Sequence, residues 1–136
     1  MSKLFIDTSA FYALEDYSDK FHLPAITFWE EKAKECSLFT SNYVYVETLL
    51  LLKSRLSQYK AERFGKLIQS SKRLEILRIT EFDDREAWKI FTKYSDQGFS
   101  YVDCTSFFLM KKFSIKNAFT IDSHFRQMSF LIHPGK

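Results

Sequence analysis

Glycine and proline are scarce in this chain, with 3 Gly and 2 Pro in 136 residues. That leaves no room for a glycine-rich phosphate loop and little for a series of tight hairpins. Gly65, Gly98 and Gly135 stand far apart, which excludes the clustered glycines of a dinucleotide-binding turn. No Gly-x-x-x-x-Gly-Lys is present, so nucleoside-triphosphate chemistry of the P-loop kind is excluded as well. Cysteine is equally sparse: Cys36 and Cys104 form no Cys-x-x-Cys, and no histidine stands at zinc-ligand spacing. No apolar run approaches the roughly 18 residues of a membrane-spanning helix. The opening Met1-Ser2-Lys3-Leu4-Phe5-Ile6-Asp7 meets an acid too early for a secretory leader. These absences describe a cytoplasmic protein with reduced thiols. The net charge of +3 is too small to announce a polyanionic partner by itself.

What the chain has is rings and apolar mass. Fifteen Phe, 7 Tyr and 2 Trp, within an apolar fraction of 46%, imply one core built largely on aromatics. The length suits a single domain over residues 1–136. Short apolar runs at Leu4–Ile6, Leu38–Thr40, Leu74–Ile79, Ala118–Ile121 and Leu131–Ile132 read as strands. Between them lie helical patterns. Ala10–Leu14 follows Asp7, and Ala25–Lys34, after Pro24, reads as a charged, solvent-facing helix. Tyr43 to about Leu56 can be capped by Ser41 or Asn42, and Ala61, Phe64, Leu67 and Ile68 share one face. Thr80-x-x-Asp83 and Ser100-x-x-Asp103 each match a capping box that opens a helix. Strands alternating with helices predict an α/β fold: a three-layer α/β/α sandwich around a mostly parallel sheet of about five strands.

In such sheets ligands bind beyond the carboxyl ends of the strands. Asp7 and Asp122 follow two of the apolar runs and so share one rim. Asp7, Asp103 and Asp122 each also precede or open a helix, so each has a plain alternative as a cap. Glu47 lies within a helix whose neighbours at three and four positions are Tyr43, Val44, Leu50 and Leu51. A glutamate on such a face must be paired, protonated or bound to a cation, and the nearest basic residue in sequence is Lys53. Four acids gathered at one rim repel one another unless hard cations neutralise them. A set made only of oxygens favours one or two Mg2+ or Mn2+ ions over zinc. Sites of that kind suit phosphoryl transfer, because the ions activate a water and stabilise the attacking and leaving oxygens. His22, His124 and His133 read as surface or capping residues. Tyr43, Tyr45, Phe107 and Phe108 read as core rings, with base stacking as the alternative.

The small net charge conceals an uneven distribution. Residues 1–52 carry 4 basic and 8 acidic side chains, whereas residues 53–73 hold Lys53, Arg55, Lys60, Arg63, Lys66, Lys72 and Arg73 against Glu62 alone. Such a segment is either a solvated helix face or a grip for a phosphate backbone beside the acids.

At these residues the sequence resembles the PIN domain nucleases, in particular the VapC-like toxins of bacterial and archaeal toxin–antitoxin pairs. The likeness rests on Leu4-Phe5-Ile6-Asp7-Thr8-Ser9-Ala10, Asp19-Lys20-Phe21-His22-Leu23-Pro24-Ala25, Asn42-Tyr43-Val44-Tyr45-Val46-Glu47, Phe99-Ser100-Tyr101-Val102-Asp103 and Phe119-Thr120-Ile121-Asp122-Ser123-His124-Phe125. It implies that Asp7, Glu47, Asp103 and Asp122 ligate divalent metal, with Thr8 or Thr120 assisting through a hydroxyl. It further implies RNA cleavage leaving a 5′-phosphate and a 3′-hydroxyl, a cognate antitoxin seated in an apolar groove, and a homodimer. The run Cys104-Thr105-Ser106-Phe107-Phe108-Leu109-Met110 is bulkier than the alanine-rich helix usual in relatives. Two other functions fit the same fold: a non-catalytic PIN-like module that binds RNA or protein, and an RNA-processing nuclease without an antitoxin. Two acid-bearing α/β families fail. A dehalogenase-type phosphatase needs an Asp where Ser9 stands, and a receiver domain needs one after its third strand, where Arg78-Ile79-Thr80 stands.

Overall fold

The computed structural model describes residues 2–135. Five strands, β1 (Lys3–Ile6), β2 (Ser37–Ser41), β3 (Leu74–Leu77), β4 (Asn117–Phe119) and β5 (Leu131–His133), form one sheet in the order β3-β2-β1-β4-β5. Every neighbouring pair is parallel. The helices are α1 (Thr8–Glu15), α2 (His22–Glu31), α3 (Asn42–Arg55), α4 (Gln58–Ser70), α5 (Glu81–Lys93), α6 (Tyr101–Lys112) and α7 (His124–Gln127). The chain steps outward from β1 to β3, then crosses back to β4 and β5 on the far side of β1. Right-handed connections running in opposite directions along a sheet place helices on both of its faces, which yields the three layers. The central strand is apolar at successive positions, Leu4, Phe5 and Ile6 being fully buried, as both-sided coverage requires.

The ends of the elements follow from local chemistry. Ser41 caps α3 by accepting from Val44 N at 3.0 Å, and Ser57 caps α4 by accepting from Lys60 N. Both predicted capping boxes form, Thr80 with Asp83 and Ser100 with Asp103. The segment expected as one charged surface helix divides instead into α2 and a 3-10 turn at Ala33–Glu35. Its Ala25, Phe28 and Ala33 are buried, and the Phe28 ring lies 4.9 Å from Phe119 and stacks on His133. An apolar pair three residues apart suffices to dock a helix whose remaining side chains are charged.

Aromatic rings dominate the core, as the composition implies. Phe107 makes edge contacts with Phe99 and Phe125, each at 5.0 Å, and stacks near Phe130. Phe108 meets Phe82 edge-on, and Tyr45 packs beside Phe64, so these rings serve packing. Cys104, Thr105 and Ser106 are completely buried along α6, where small side chains let the helix approach its neighbours closely.

Candidate active site

The order of the sheet reverses between β1 and β4, and at that point both strands release an acid over the same rim. Asp7 follows β1 directly, while Asp122 stands three residues beyond β4, which ends sooner than its apolar pattern suggests. Glu47 arrives from the second turn of α3 and Asp103 from the first turn of α6. All four line one cleft of about 380 Å³, together with Thr8, Ser9, Tyr12, Arg55 and His124.

The supporting hydroxyls are in place. Asp7 Oδ2 accepts from Ser9 Oγ and from Thr120 Oγ1, both at 2.9 Å, and more distantly from Ser9 N as the cap of α1. Thr8 Oγ1 donates to Glu47 Oε1 at 2.6 Å. Asp103 Oδ2 accepts from Ser100 N at 3.1 Å, and Asp122 Oδ1 accepts from His124 N at 2.9 Å. Capping and cleft-lining coincide in Asp7 and Asp103, because a carboxylate bonded at a helix start still has lone pairs to present, whereas Asp122 closes the turn before α7, whose N-cap is Ser123.

His124 departs from its sequence reading. Its Nδ1 lies 3.0 Å from Asp103 Oδ2 and 3.1 Å from Asp122 Oδ2, and its ring abuts Phe99. Asp103, Asp122 and His124 offer ligand atoms within 4.8 Å of one another. Nothing local in the sequence marks this histidine. Its position just after Asp122 is the only hint, and the contact with Asp103 is made by the fold.

The electrostatics are those of crowded acids. Burial, helped by the charge of Asp103, pushes Asp7 up to about 7 against the lowering effect of its Ser9 and Thr120 bonds. Glu47 is raised by burial and then by Asp103, opposed by the Thr8 bond. Asp103 is raised by burial with Asp122 adding, opposed by Ser100 and His124. Carboxylates held above their ordinary range are poised to exchange a proton for a cation. The donor set, four carboxylates with one imidazole nitrogen close by, fits Mg2+ or Mn2+.

The basic segment separates into distinct roles. Among the described residues Arg55 is the single Lys or Arg lining the cleft, its guanidinium 5.3 Å from the Tyr12 ring centroid. Lys60 donates to the Glu15 carbonyl and lies 3.8 Å over the Tyr17 ring, and Arg63 pairs with Glu15 at 3.0 Å. Arg73 donates to the carbonyls of Ala33, Lys34 and Cys36, fastening the 3-10 turn. Lys53, Lys66 and Lys72 are exposed.

A three-layer fold with an acid cleft at its switch point defines a class that sequence comparison also finds. The PIN domain model matches residues 4–131, and the chain belongs to that family. It is 31% identical over 128 residues to the 23S rRNA-specific endonuclease VapC20 of Mycobacterium tuberculosis, covering 94% of this chain and 95% of that protein. It is 29% identical over 123 residues to a VapC ribonuclease of Archaeoglobus fulgidus, covering 88% of this chain and 77% of the relative. The crystal structure of M. tuberculosis VapC20, described as a sarcin–ricin loop cleaving toxin, superposes with a TM-score of 0.88 over 94% of this chain and 96% of that one at 30% identity. VapBC2 from Rickettsia felis, at 13% identity and a TM-score of 0.71 over 96% of this chain and 97% of that one, shares the fold.

Proposed function

We propose that this protein cleaves RNA with the help of one or two Mg2+ or Mn2+ ions, as the toxin half of a toxin–antitoxin pair. The endoribonuclease and toxin character is that of its VapC relatives. The observation that carries the metal-dependent reading is the convergence of Asp7, Glu47, Asp103 and Asp122 on one cleft, with the carboxyl of Asp7 raised to about 7.

The four acids would hold the ions, with His124 beside Asp103 and Asp122. When bound, such ions supply Lewis-acid stabilisation of a phosphodiester and lower the pKa of a water. The chain's own residues do the rest. Thr8 fixes the rotamer of Glu47, Ser9 and Thr120 fix Asp7, and Ser100 fixes Asp103. Arg55, in the cleft lining with its guanidinium 5.3 Å from the Tyr12 ring centroid, would hold a substrate phosphate with its planar set of N–H donors. The sarcin–ricin loop of 23S rRNA, cleaved by VapC20, is the first substrate to try. Hydrolysis would leave a 5′-phosphate and a 3′-hydroxyl.

An antitoxin has a fitting surface. An apolar groove of about 530 Å³ runs beside α1, α2 and α4, lined by Phe11, Leu14, Trp29, Phe64, Leu67 and Ile68, with Arg63 and Arg73 at its margin. An amphipathic segment suits such a groove. Val46 and Leu50, exposed on α3, offer apolar surface to a second copy in a homodimer. Among the described residues no helix is long and apolar enough to cross a membrane, and the proposed site of action is the cytoplasm.

The test is cleavage of 23S rRNA and a panel of structured RNAs by purified, antitoxin-free protein. Activity should require Mg2+ or Mn2+ and disappear with chelator; cleavage that survives exhaustive chelation refutes the metal-dependent reading. A finer expectation concerns Arg55→Ala. Losing one phosphate contact should lower kcat/KM by about 10- to 100-fold, equivalent to roughly 1.5–3 kcal/mol for a hydrogen bond to a charged group. The slope of log binding against log salt should flatten by about 0.7 for single-stranded RNA. Lys72→Ala, outside the cleft, should change kcat/KM less than Arg55→Ala.

A further inference from the structure

Outside the cleft's lining, a further acid links the helices that deliver two of the four converging acids. Asp84 sits in the first turn of α5, next to the capping residue Asp83. Tyr43, in the first turn of α3, donates its hydroxyl to Asp84 Oδ2 at 2.7 Å. Tyr101, the first residue of α6, places its hydroxyl 2.8 Å from Asp84 Oδ1 and 2.9 Å from the Asp84 carbonyl. Both phenols are held above their ordinary range, Tyr43 up to about 12 by its bond to Asp84 and Tyr101 by burial with that bond adding. Among the described residues no Lys or Arg forms an ion pair with Asp84, and its carboxylate oxygens are bonded by these two hydroxyls.

Each phenol stands close to a cleft acid on its own helix. Glu47 is four residues beyond Tyr43, on the same face of α3. Asp103 is two residues beyond Tyr101, within the same turn. The start of α3 is fixed a second time to the segment before α5, because Asn42 Oδ1 accepts from Ile79 N at 2.9 Å. We propose that Asp84 is a positioning residue, a strut whose bonds to Tyr43 and Tyr101 set the spacing between Glu47 and Asp103 at the metal site. This rests on the metal-dependent reading of the cleft and names what regulates its geometry. Short bonds from hydroxyls to a carboxylate are among the stiffest available to side chains. They cross-brace two helices that approach the cleft from different crossovers.

The experiment is a mutant cycle read by Mn2+ binding to the full chain, by calorimetry or electron paramagnetic resonance, alongside RNA cleavage. Tyr43→Phe and Tyr101→Phe remove only an oxygen each, and each should weaken Mn2+ binding by about 5- to 10-fold, at or just below the loss typical for residues that orient metal ligands. In an Asp84→Ala background Tyr43→Phe should weaken binding no further, since the bond it removes is already gone, and Tyr101→Phe should have a diminished effect, because only its bond to the Asp84 backbone carbonyl remains. Lys112→Met is the control: it breaks the 2.8 Å ion pair to Asp83 in the same turn of α5 without touching either tyrosine. It should lower the thermal midpoint while leaving Mn2+ affinity within twofold. The strut is overturned if both Tyr→Phe variants bind Mn2+ within twofold of the unaltered chain, if their effects persist undiminished after Asp84→Ala, or if Lys112→Met weakens binding equally. If the unaltered chain binds no Mn2+, and Glu47→Gln changes nothing, the metal reading fails and the strut's role with it. That result is distinct from Mn2+ binding that ignores the tyrosines.

Discussion

Asp7→Asn will abolish RNA cleavage and, at the same time, make the metal-free protein more stable at neutral and alkaline pH. The two effects share one cause. Asp7 is 3% exposed, and its folded-state pKa of about 7 lies well above the ordinary carboxylate value near 4. Below about pH 4 the carboxyl is neutral in the folded and unfolded chains alike, and its charge costs nothing. Between about 4 and 7 the unfolded chain gives up its proton while the folded one keeps it, so stability falls as the pH rises. Above 7 the folded chain carries the full penalty, on the order of a few kcal/mol. An amide in the same place avoids that penalty, and its oxygen can still accept from Ser9 and Thr120. The metal-free variant should therefore melt several degrees higher than the unaltered chain at pH 8, and about equally at pH 4. Mn2+ should reverse the order at pH 8, because the proposed metal site needs the charge. Cleavage should fall by at least about 1000-fold, or roughly 4 kcal/mol of transition-state stabilisation. Thermal melts at the two pH values, with and without Mn2+, check the prediction. A variant that melts lower at pH 8 without metal would refute it.

Asp103 allows its two roles to be separated. Its Oδ2 completes the capping box of α6 and also lies beside His124. In Asp103→Asn the amide oxygen can still accept from Ser100 N, so the cap survives while the negative charge is lost. In Asp103→Ala both are lost. Both variants should lose at least about 1000-fold in cleavage, since each removes a charged group from the site. They should differ in stability: the alanine variant should be less stable than the asparagine variant by about 1 kcal/mol, the usual worth of a helix cap. Urea unfolding midpoints of the metal-free variants measure this directly. Equal midpoints would show that the capping bond contributes nothing, and retained cleavage in Asp103→Asn would remove Asp103 from the catalytic set.

The contrast between these roles explains what the sequence could and could not convey. Buried parallel strands must be short and apolar, so Leu4–Ile6 and Leu38–Thr40 declared themselves, and the acid after Ile6 was visible as a strand-end residue. Glu47 stood out because a carboxylate among Val44, Leu51 and Tyr43 conflicts with a simple packing face. Periodicity cannot report how helices are placed against each other. His124 meets Asp103 across 21 residues of sequence, and no local pattern encodes that meeting. The same limit made seven cations look equivalent. Arg73 is occupied by the carbonyls of the 3-10 turn and Arg63 by Glu15, while Arg55 alone of the seven lines the cleft. Those partners are a turn's loose carbonyls and a helix-end glutamate, which only the assembled chain brings within reach. Asp84 carries no sequence signal of its own: Thr80-x-x-Asp83 accounts for one acid of the pair, and the tyrosines that bond the other come from α3 and α6.

The strand order carries a consequence for the timing of synthesis. The first three strands, β1 to β3, are made before the crossover that returns the chain to β4, and they bring with them only Asp7 and Glu47. Asp103 and Asp122 belong to that crossover and to the segment after β4, which docks along the opposite side of β1. A chain grown only to β3 therefore carries two of the four converging acids and lacks the part of the cleft that Asp103 and Asp122 supply. The sheet order thus makes the cleft a late product of synthesis: one side of β1 stays an open edge, and the four acids cannot meet, until β4 and the segment carrying Asp122 have been made.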